Sequence, residues 1–219
     1  MQPAALSLGI ELVNYTGGDA VTYRETPWSP LVDGLVVLVA RSPQGQAVVY
    51  PVTEAIGERF VAPAPISDAL AHELIVKALH LVKERNLFGV VAITFAHESL
   101  EVCEIFSGPH RAGLWTIDGA RTNQFDQHLR ALLDLPFGSP EMTAPRVLTQ
   151  MVIGGDKPDL LRPFLHLYAR DPGLKVHLYG IAVAPNVEIG HVTVTGRDLT
   201  ELQERAEHAA GYLNGRIEE

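Results

Sequence analysis

Apolar runs separated by short polar connections dominate the first half of the chain and predict two β-hairpins. The runs LVVLVA (35–40) and AVVYPV (47–52) flank one polar turn, and GVVAITF (89–95) and LEVCEIF (100–106) flank another. Such connections favour antiparallel pairing of the strands on either side. Because these runs contain few polar residues, we expect the strands to be buried.

Alternation along the strand at 100–106 predicts which of its side chains share a face. Successive side chains of a strand point to opposite sides of the sheet. We therefore expect two opposed sets, with Glu101, Cys103 and Ile105 on one face and Val102, Glu104 and Phe106 on the other. The opening residues 1–30 are rich in turn formers and predict one or two further short strands.

Apolar residues at helical spacing predict four helices. Ser67 can cap the first helix, which continues to about Arg85, and Asp198 provides a capping-box-like start for the last. The other two lie near 117–133 and near 159–169. For the helix near 117–133, we expect a buried apolar stripe formed by Phe125, Leu129 and Leu132.

The segment DLPFGSP (134–140) is typical of a linker, because it is rich in Pro and Gly. We place a domain boundary there, which divides the chain into 1–140 and 141–219. Three more strands are predicted beyond the boundary, at 148–153, 176–180 and 191–196. Hairpins with inserted helices predict an α+β fold with mainly antiparallel pairing.

Charge and cysteine content exclude several classes of protein. The chain of 219 residues carries a formal net charge of −9, so its overall field does not attract nucleic acid or an anionic membrane surface. The single cysteine, Cys103, excludes an internal disulfide framework. We find no secretory signal and no uninterrupted apolar run long enough to span a bilayer, so we expect a cytoplasmic protein without a membrane partner.

Glu104 is the residue most suggestive of a site, because it interrupts an apolar strand. A buried carboxylate is costly unless it is paired or bound to a cation. We therefore expect either a salt bridge to Arg111 or Arg121, or a ligand-binding role. His110 lies with Arg111 in the loop after this strand, where functional residues are common, although a bond to a nearby carbonyl would also explain it.

Sequence spacing provides no further site for a metal or a phosphate. The nine histidines show no HxxxH or HxH spacing, and there is no CxxC motif. The Gly17-Gly18 and Gly154-Gly155 pairs lack the Lys-Ser or Lys-Thr of a phosphate-binding loop and are more typical of turns. We expect Cys103 to be an inert, buried thiol.

Six segments, in order and at family spacing, resemble the 5-(carboxyamino)imidazole ribonucleotide synthase family of ATP-grasp enzymes, also described as the ATPase subunit of phosphoribosylaminoimidazole carboxylase. They are VARSPQGQAVVYPV (39–52), GVVAITF (89–95), CEIFSGPHRAGLWTID (103–118), TNQFDQHLRALLDLPFGS (122–139), HLYG (177–180) and GHVTV (190–194). The resemblance implies an ATP-grasp-like antiparallel sheet with helices in 1–140. It implies a small barrel-sandwich-hybrid-like β domain plus a terminal helix in 141–219, without the family's amino-terminal Rossmann-like domain.

The resemblance also implies that this chain has lost much of the family's metal-binding site. Glu104 matches one magnesium-binding glutamate, but Thr94 stands where the family has the other. Gly34 replaces a glutamate of the ATP hinge, Cys103 an asparagine and Gly108 an arginine. Magnesium usually binds through one or two carboxylates together with substrate phosphates, so Glu104 is at most a vestigial ligand.

Four basic positions near the end of the family pattern are also replaced. In GIAVAPNVEIGH (180–191) they are occupied by Ile181, Ala184, Val187 and Glu188. Each lost charge-assisted hydrogen bond to phosphate would cost about 1.5–3 kcal/mol, and a carboxylate adds repulsion. Framework residues are retained, including Trp115, Tyr179 and His191, which is typical of a pseudoenzyme complete in itself.

The resemblance leaves three functions open. The first is a non-catalytic binding or assembly protein without a cofactor, forming a homodimer as family members commonly do, or binding a purine-pathway protein. The second is an enzyme subunit completed by another chain, with Glu104, His110 and Arg111 binding ATP, magnesium or aminoimidazole ribonucleotide. The third is a sensor that reuses the cleft beside Glu104 and Ile181 for a less polar molecule.

Overall fold

One antiparallel sheet organises the part of the chain that the structure describes. The structure is a computed structural model that describes residues 33–156 and 159–217, together with the backbone of 14–15 and 21–22. Nine strands form the main sheet: β3 (Gly34–Arg41), β4 (Ala47–Val49), β5 (Thr53–Ile56), β6 (Arg59–Ala62), β7 (Gly89–Phe95), β8 (Val102–Ser107), β9 (Arg146–Ile153), β10 (Lys175–Leu178) and β11 (Glu188–Gly196). They lie in the order β10-β11-β9-β6-β5-β3-β7-β8, and β4 pairs with β3.

Two further strands, β1 (Asn14–Tyr15) and β2 (Val21–Thr22), pair with each other. They agree with the strands predicted for the opening segment, and the other residues before Asp33 lie outside the described part. The two predicted hairpins are confirmed, because β3 pairs with β4 and β7 pairs with β8, both antiparallel. The α+β fold with antiparallel pairing is therefore confirmed as well.

Five α-helices and one short 3₁₀ helix lie among the described residues. They are α1 (Asp68–Glu84), the 3₁₀ helix (Arg111–Gly113), α2 (Thr116–Gly119), α3 (Gln124–Leu132), α4 (Leu161–Arg170) and α5 (Leu199–Asn214). Both predicted caps are confirmed: Ser67 accepts a hydrogen bond from the Leu70 amide, and Asp198 accepts one from the Glu201 amide. Helix α5 ends at Gly215, whose φ of 81° is easily adopted only by glycine.

The sheet separates two cores around β3 and β7. On one side α1 contributes Leu74, Ala78 and Val82. On the other side Trp115 packs edge-on against Tyr50, with the two ring centroids 6.0 Å apart. The second side is also the side on which Glu104 lies, because Glu104 is two residues before the buried Phe106 of this core.

The predicted facing of β8 is wrong for Val102. The pairing register shifts between Thr94, which pairs with Glu104, and Phe95, which pairs with Val102. Such a bulge inserts one extra residue into β8 and resets its alternation. Val102 consequently packs with Ile105 on the α1 side of the sheet.

The predicted helix near 117–133 is two helices, and its predicted buried stripe is wrong. Phe125, Leu129 and Leu132 are exposed. The first helix, α2, ends at Gly119. Asn123 then caps α3 by accepting hydrogen bonds from the amides of Phe125 and Asp126.

Polar residues of α3 face the protein instead, because they satisfy backbone groups of neighbouring loops. Gln124 accepts a hydrogen bond from the His110 amide and donates one to the His110 carbonyl. Gln127 makes the same pair of bonds with Gly138, and His128 accepts one from the Val90 amide. Unpaired buried backbone groups are costly, so these bonds outweigh the burial of the apolar stripe.

The second half of the chain extends the same sheet. β9 pairs with β6 on one side and with β11 on the other, and α5 packs over β9 and β11. The interior of this half includes Leu148, Val192, Leu202 and Ala206. The proposed boundary at residue 140 falls between α3 and β9, and the division into two domains stays a prediction.

Candidate functional site

A polar cluster forms on the face of the sheet that carries Trp115, with residues from β7, β8, the 3₁₀ helix, β11 and the end of β10. Thr94 on β7 pairs directly with Glu104 on β8. Both residues are buried, with 1% of Thr94 and 6% of Glu104 exposed. Gly34 begins β3 next to them, where an added Cβ would lie 2.8 Å from the Thr94 methyl group. The structure thus brings three of the predicted site positions together.

His110 approaches Glu104 from the loop after β8. Its Nε2 lies 3.8 Å from a carboxylate oxygen of Glu104, while its Nδ1 accepts a hydrogen bond from the Ala112 amide and starts the 3₁₀ helix. That bond leaves the proton of the neutral ring on Nε2, facing the carboxylate. Burial, aided by the Arg111 guanidinium, lowers the pKa of His110 to about 4, so the ring is neutral at pH 7.

Arg111 forms an ion pair with Glu188, one of the four replaced basic positions. A terminal guanidinium nitrogen lies 3.0 Å from a carboxylate oxygen, and both side chains are mostly buried. Burial and the nearby Glu58 raise the pKa of Glu188, whereas the Arg111 charge lowers it. The carboxylate of Glu188 therefore balances the charge of the Arg111 guanidinium.

A chain of hydrogen bonds and ring contacts continues from this pair. The Tyr179 hydroxyl shares a hydrogen bond of 2.9 Å with His191 Nδ1, and the His191 ring stacks on His177 with centroids 4.7 Å apart. His177 Nε2 then lies 2.8 Å from a carboxylate oxygen of Asp118 on α2. Burial, with a contribution from His177, lowers the pKa of His191 to about 3.

The electrostatic environment joins the two parts of the cluster. Burial and Glu188 raise the pKa of Tyr179, and Arg111 opposes that shift. Tyr179, Glu188 and Arg111 therefore influence one another. His110, Tyr179 and His191 are all held neutral at pH 7, so among the described residues of the cluster the formal charges are those of Glu104, Glu188, Arg111 and Asp118.

Two predictions about Glu104 and Cys103 change in the structure. Of the two salt-bridge partners predicted for Glu104, Arg121 pairs with Glu141 at the surface and Arg111 pairs with Glu188. Cys103 is half-buried rather than fully buried, and its thiol donates a weak hydrogen bond to the Glu101 carbonyl. Cys103 is the extra residue of the bulge, because Val102 and Glu104 pair with the adjacent residues Phe95 and Thr94.

The remaining replaced positions lie around the cluster. Gly108 follows β8 with a φ of 132°, a backbone conformation that an arginine at this position would adopt only under strain. Ile181 is 51% exposed, and Val187 packs against the core of the second half. Ala184 lies in the same loop, where its backbone closely approaches Gly154.

Sequence reasoning missed Asp118, His177 and Glu58 and treated Tyr179 and His191 only as framework. The period-two alternation of HLYG (177–180) could have placed His177 and Tyr179 on one face. Asp118 has no such signal, because only the packing of α2 against β10 brings it to His177. In the described ranges, no group of three or more His, Cys, Asp or Glu side chains could hold a metal ion.

Comparison with known proteins identifies the family. The ATP-grasp domain model matches residues 14–125, and the phosphoribosylaminoimidazole carboxylase C-terminal domain model matches 152–205. This chain belongs to the ATP-grasp family. Within the ATP-grasp family its relatives are N5-carboxyaminoimidazole ribonucleotide synthases, which confirms the resemblance found in the sequence.

One such relative, from Mycobacterium tuberculosis, is 41% identical over 192 residues, which cover 82% of this chain and 45% of that protein. The N5-carboxyaminoimidazole ribonucleotide synthetase of Thermus thermophilus has a similar structure, with a TM-score of 0.71 and 28% identity over 95% of this chain and 63% of that one. The chain thus spans about half the length of the mycobacterial ATP-grasp relatives it matches.

Some of these ATP-grasp structures contain ligands. The enzyme of Aspergillus clavatus, solved in complex with ADP and 5-aminoimidazole ribonucleotide, has a TM-score of 0.71 and 27% identity over 96% of this chain and 63% of that one. Another structure of that enzyme contains ATP.

No helix among the residues that the structure describes is both long enough and apolar enough to cross a membrane.

Proposed function

We propose that this chain is a non-catalytic relative of the ATP-dependent purine-biosynthesis enzymes and acts in the cytoplasm as a binding or assembly protein. The observation that carries this proposal is the Arg111–Glu188 ion pair, whose atoms lie 3.0 Å apart. It neutralises a guanidinium beside Glu104 and His110. A phosphate would have to displace a partly desolvated carboxylate to reach Arg111, and breaking such a pair is unfavourable.

The neutral state of His110 supports the same proposal. With a pKa of about 4, His110 does not supply a positive charge to a phosphate at pH 7. Among the described residues of the cluster, the carboxylates of Glu104, Glu188 and Asp118 therefore outnumber the guanidinium of Arg111. Polyphosphate binding needs the opposite balance, because backbone amides, cations or metal ions must offset the ligand's charge.

The residues at the cluster also fit magnesium poorly. Where the chain is described, Glu104 is the carboxylate that β7 and β8 contribute to this face, and its partner across the strands is Thr94, which offers a hydroxyl and a methyl group. Magnesium requires octahedral oxygen coordination and usually retains several waters beside one or two carboxylates and the substrate phosphates. We therefore assign no step of a reaction to ATP or magnesium in this chain.

Calorimetric titration is expected to show no binding of ATP, of ATP with magnesium, or of 5-aminoimidazole ribonucleotide at micromolar concentrations. The reason is the surplus of carboxylates and the occupied guanidinium of Arg111. A magnesium-dependent dissociation constant in the micromolar range would overturn the proposal. An ATP-binding relative such as the Aspergillus clavatus enzyme would serve as the positive control.

Two matched variants separate the site from the general surface. Glu188→Gln removes the charge that pairs with Arg111 and should raise the affinity for pyrophosphate, whereas Glu207→Gln removes the charge of the exposed Arg59–Glu207 pair and should not. Equal affinities of the two variants for pyrophosphate would show that the Arg111–Glu188 pair does not control anion binding.

A second candidate is an enzyme subunit that binds a nucleotide or an aminoimidazole ribonucleotide and is completed by another chain. The observation that favours it is the retention of buried Glu104 with His110 Nε2 at 3.8 Å, in a family whose structures contain ADP and 5-aminoimidazole ribonucleotide. The titration described above also tests this candidate, because micromolar binding would support it and the absence of binding would contradict it.

We further propose that the chain forms a homodimer through the exposed apolar stripe of α3 and the turn after it. The stripe comprises Phe125, Leu129, Leu132, Leu133 and Leu135. Leu133 is 66% exposed and Leu129 is 58% exposed. Monomeric proteins seldom expose such contiguous apolar patches, and a second copy of the chain can cover the same stripe symmetrically.

Sedimentation equilibrium should therefore find a dimer in dilute solution. The double variant Leu129→Glu and Leu133→Glu should sediment as a monomer, because burying four like charges at a two-fold contact is unfavourable. The control is Leu165→Glu on α4, which is equally exposed and should remain dimeric. A monomeric parent chain, or a dimer that persists in the double variant, would contradict the use of this stripe.

A further inference from the structure

Two histidines that are far apart in the sequence face each other between α4 and α5. His166 on α4 and His208 on α5 are separated by 42 residues, yet their Nε2 atoms lie 3.3 Å apart. Both side chains are half-buried, and α5 packs on the face of the sheet opposite to the one that carries Glu104. Neither residue belongs to any segment that carries the family resemblance.

The separation of the two nitrogens matches chelation of one metal ion. Zinc binds imidazole nitrogen at about 2.0–2.1 Å, and in tetrahedral geometry two such ligands lie about 3.3 Å apart. The Nε2–Nε2 distance is therefore already that of two ligands of one tetrahedral ion. An ion would replace the contact between the two rings, with each Nδ1 keeping its proton.

The two rings are held in place by their surroundings. The His166 ring stacks on Tyr212, with centroids 4.1 Å apart and planes within 8° of parallel. Tyr212 is one turn beyond His208 on α5, so the three rings form one group across the two helices. Preorganised ligands lose little conformational freedom when an ion binds, which favours binding.

The electrostatics beside the pair suit a cation. A cavity of about 420 Å³ has His208 in its lining together with charged residues of both helices. Those charged residues are Arg170, Asp171, Glu201, Glu204 and Arg205, so acidic groups outnumber basic ones. Arg205 pairs with two of these acidic groups, with Asp171 through hydrogen bonds of 2.8 and 3.2 Å and with Glu201 at 3.5 Å.

We propose that His166 and His208 form a two-histidine site for a divalent transition-metal ion, with zinc as its test ligand. Because the described part of the chain offers no cluster of three protein ligands, water would fill the other coordination positions from the cavity. Imidazole ligands select zinc, copper or nickel over magnesium and calcium, which prefer oxygen. Zinc at this site would link α4 to α5 and stabilise their packing.

Zinc titration of the whole chain tests the site. Calorimetry should find one zinc ion bound per chain, with affinity falling at least about tenfold in His166→Asn and in His208→Asn. The matched control is His80→Asn, because His80 is an exposed helical histidine on α1 and its loss should leave zinc binding unchanged. Unchanged affinity in both of the first two variants would overturn the proposal.

A measurement on the unmodified chain covers the case in which a variant fails to fold. Nitrogen-15 spectra of the histidine rings should show that zinc shifts Nε2 of His166 and His208 and that EDTA reverses the change. Zinc should also raise the melting temperature, since a ligand that binds the folded state stabilises it. Zinc-induced shifts confined to other histidines would refute the site.

Discussion

Acidification from pH 7 to pH 4 is expected to destabilise the fold by several kcal/mol. Burial lowers the pKa of His110 to about 4 and the pKa of His191 to about 3, and both rings are almost fully inaccessible. An unfolded histidine titrates near 6.5, so below that pH the unfolded chain binds protons that the folded chain cannot. Their stabilising effect is complete above pH 6.5 and is lost as the pH falls toward 4.

The size of the effect follows from proton linkage. Each histidine contributes a slope of at most about 1.4 kcal/mol per pH unit, so two give at most about 2.7 kcal/mol per unit within this window. Glu188 acts in the opposite direction, because its raised pKa makes the folded chain bind a proton more readily there. Its contribution offsets part of the loss in the acidic half of the window.

Denaturant unfolding at pH 7, 6, 5 and 4.5 measures this dependence. His191→Asn should reduce the slope of the unfolding free energy against pH by at most about 1.4 kcal/mol per pH unit, which corresponds to one proton. The reason is that the variant no longer has a buried neutral histidine at this position. His80→Asn makes the same substitution at an exposed position on α1 and is the matched control. A free energy of unfolding that stays constant between pH 6.5 and 5 would contradict the burial of His110 and His191.

Trp115→Ala is expected to reduce the free energy of unfolding by about 3–5 kcal/mol, the usual range for removing a large buried ring. Trp115 is completely buried, and its Nε1 donates a hydrogen bond of 2.9 Å to the Thr53 hydroxyl. It also lies between the 3₁₀ helix and α2, which carry Arg111 and Asp118. The substitution should therefore loosen the polar cluster as well as the core.

Equilibrium unfolding in urea measures the loss, with Leu165→Ala as the control. Leu165 is 67% exposed on α4, so its truncation should change stability by no more than about 0.5 kcal/mol. The loss of unfolding free energy in Trp115→Phe should lie between the losses in Trp115→Ala and Leu165→Ala. Phenylalanine keeps most of the ring volume but loses the hydrogen bond to Thr53. Similar stabilities for Trp115→Ala and Leu165→Ala would mean that Trp115 is not in the core.

Local patterns predicted the hairpins and helix caps well because those features depend on nearby residues. Ser67 and Asp198 cap helices with hydrogen bonds to amides three residues away, and β3 and β7 are recognisable as uninterrupted apolar runs. The facing of Val102 was wrong because a bulge depends on the partner strand, β7. No periodicity within β8 alone reveals that register shift.

Helix α3 shows where an amphipathic pattern fails. Its apolar stripe predicted burial of Phe125, Leu129 and Leu132, yet Gln124 and Gln127 occupy the interior. Their amide groups pair with backbone atoms of His110 and Gly138, which lie in loops that the helix sequence does not contain. The apolar stripe is thus left for the dimer contact that we propose.

The sequence by itself determined the antiparallel α+β fold, the family and the positions at which this chain departs from the family pattern. Only the tertiary structure decided that Glu188 meets Arg111, that Asp118 meets His177 and that His166 meets His208. Residue types and local spacing are sufficient to fix strands, turns and caps. Contacts between residues 42 to 77 positions apart depend on how whole elements pack, and no local pattern encodes that packing.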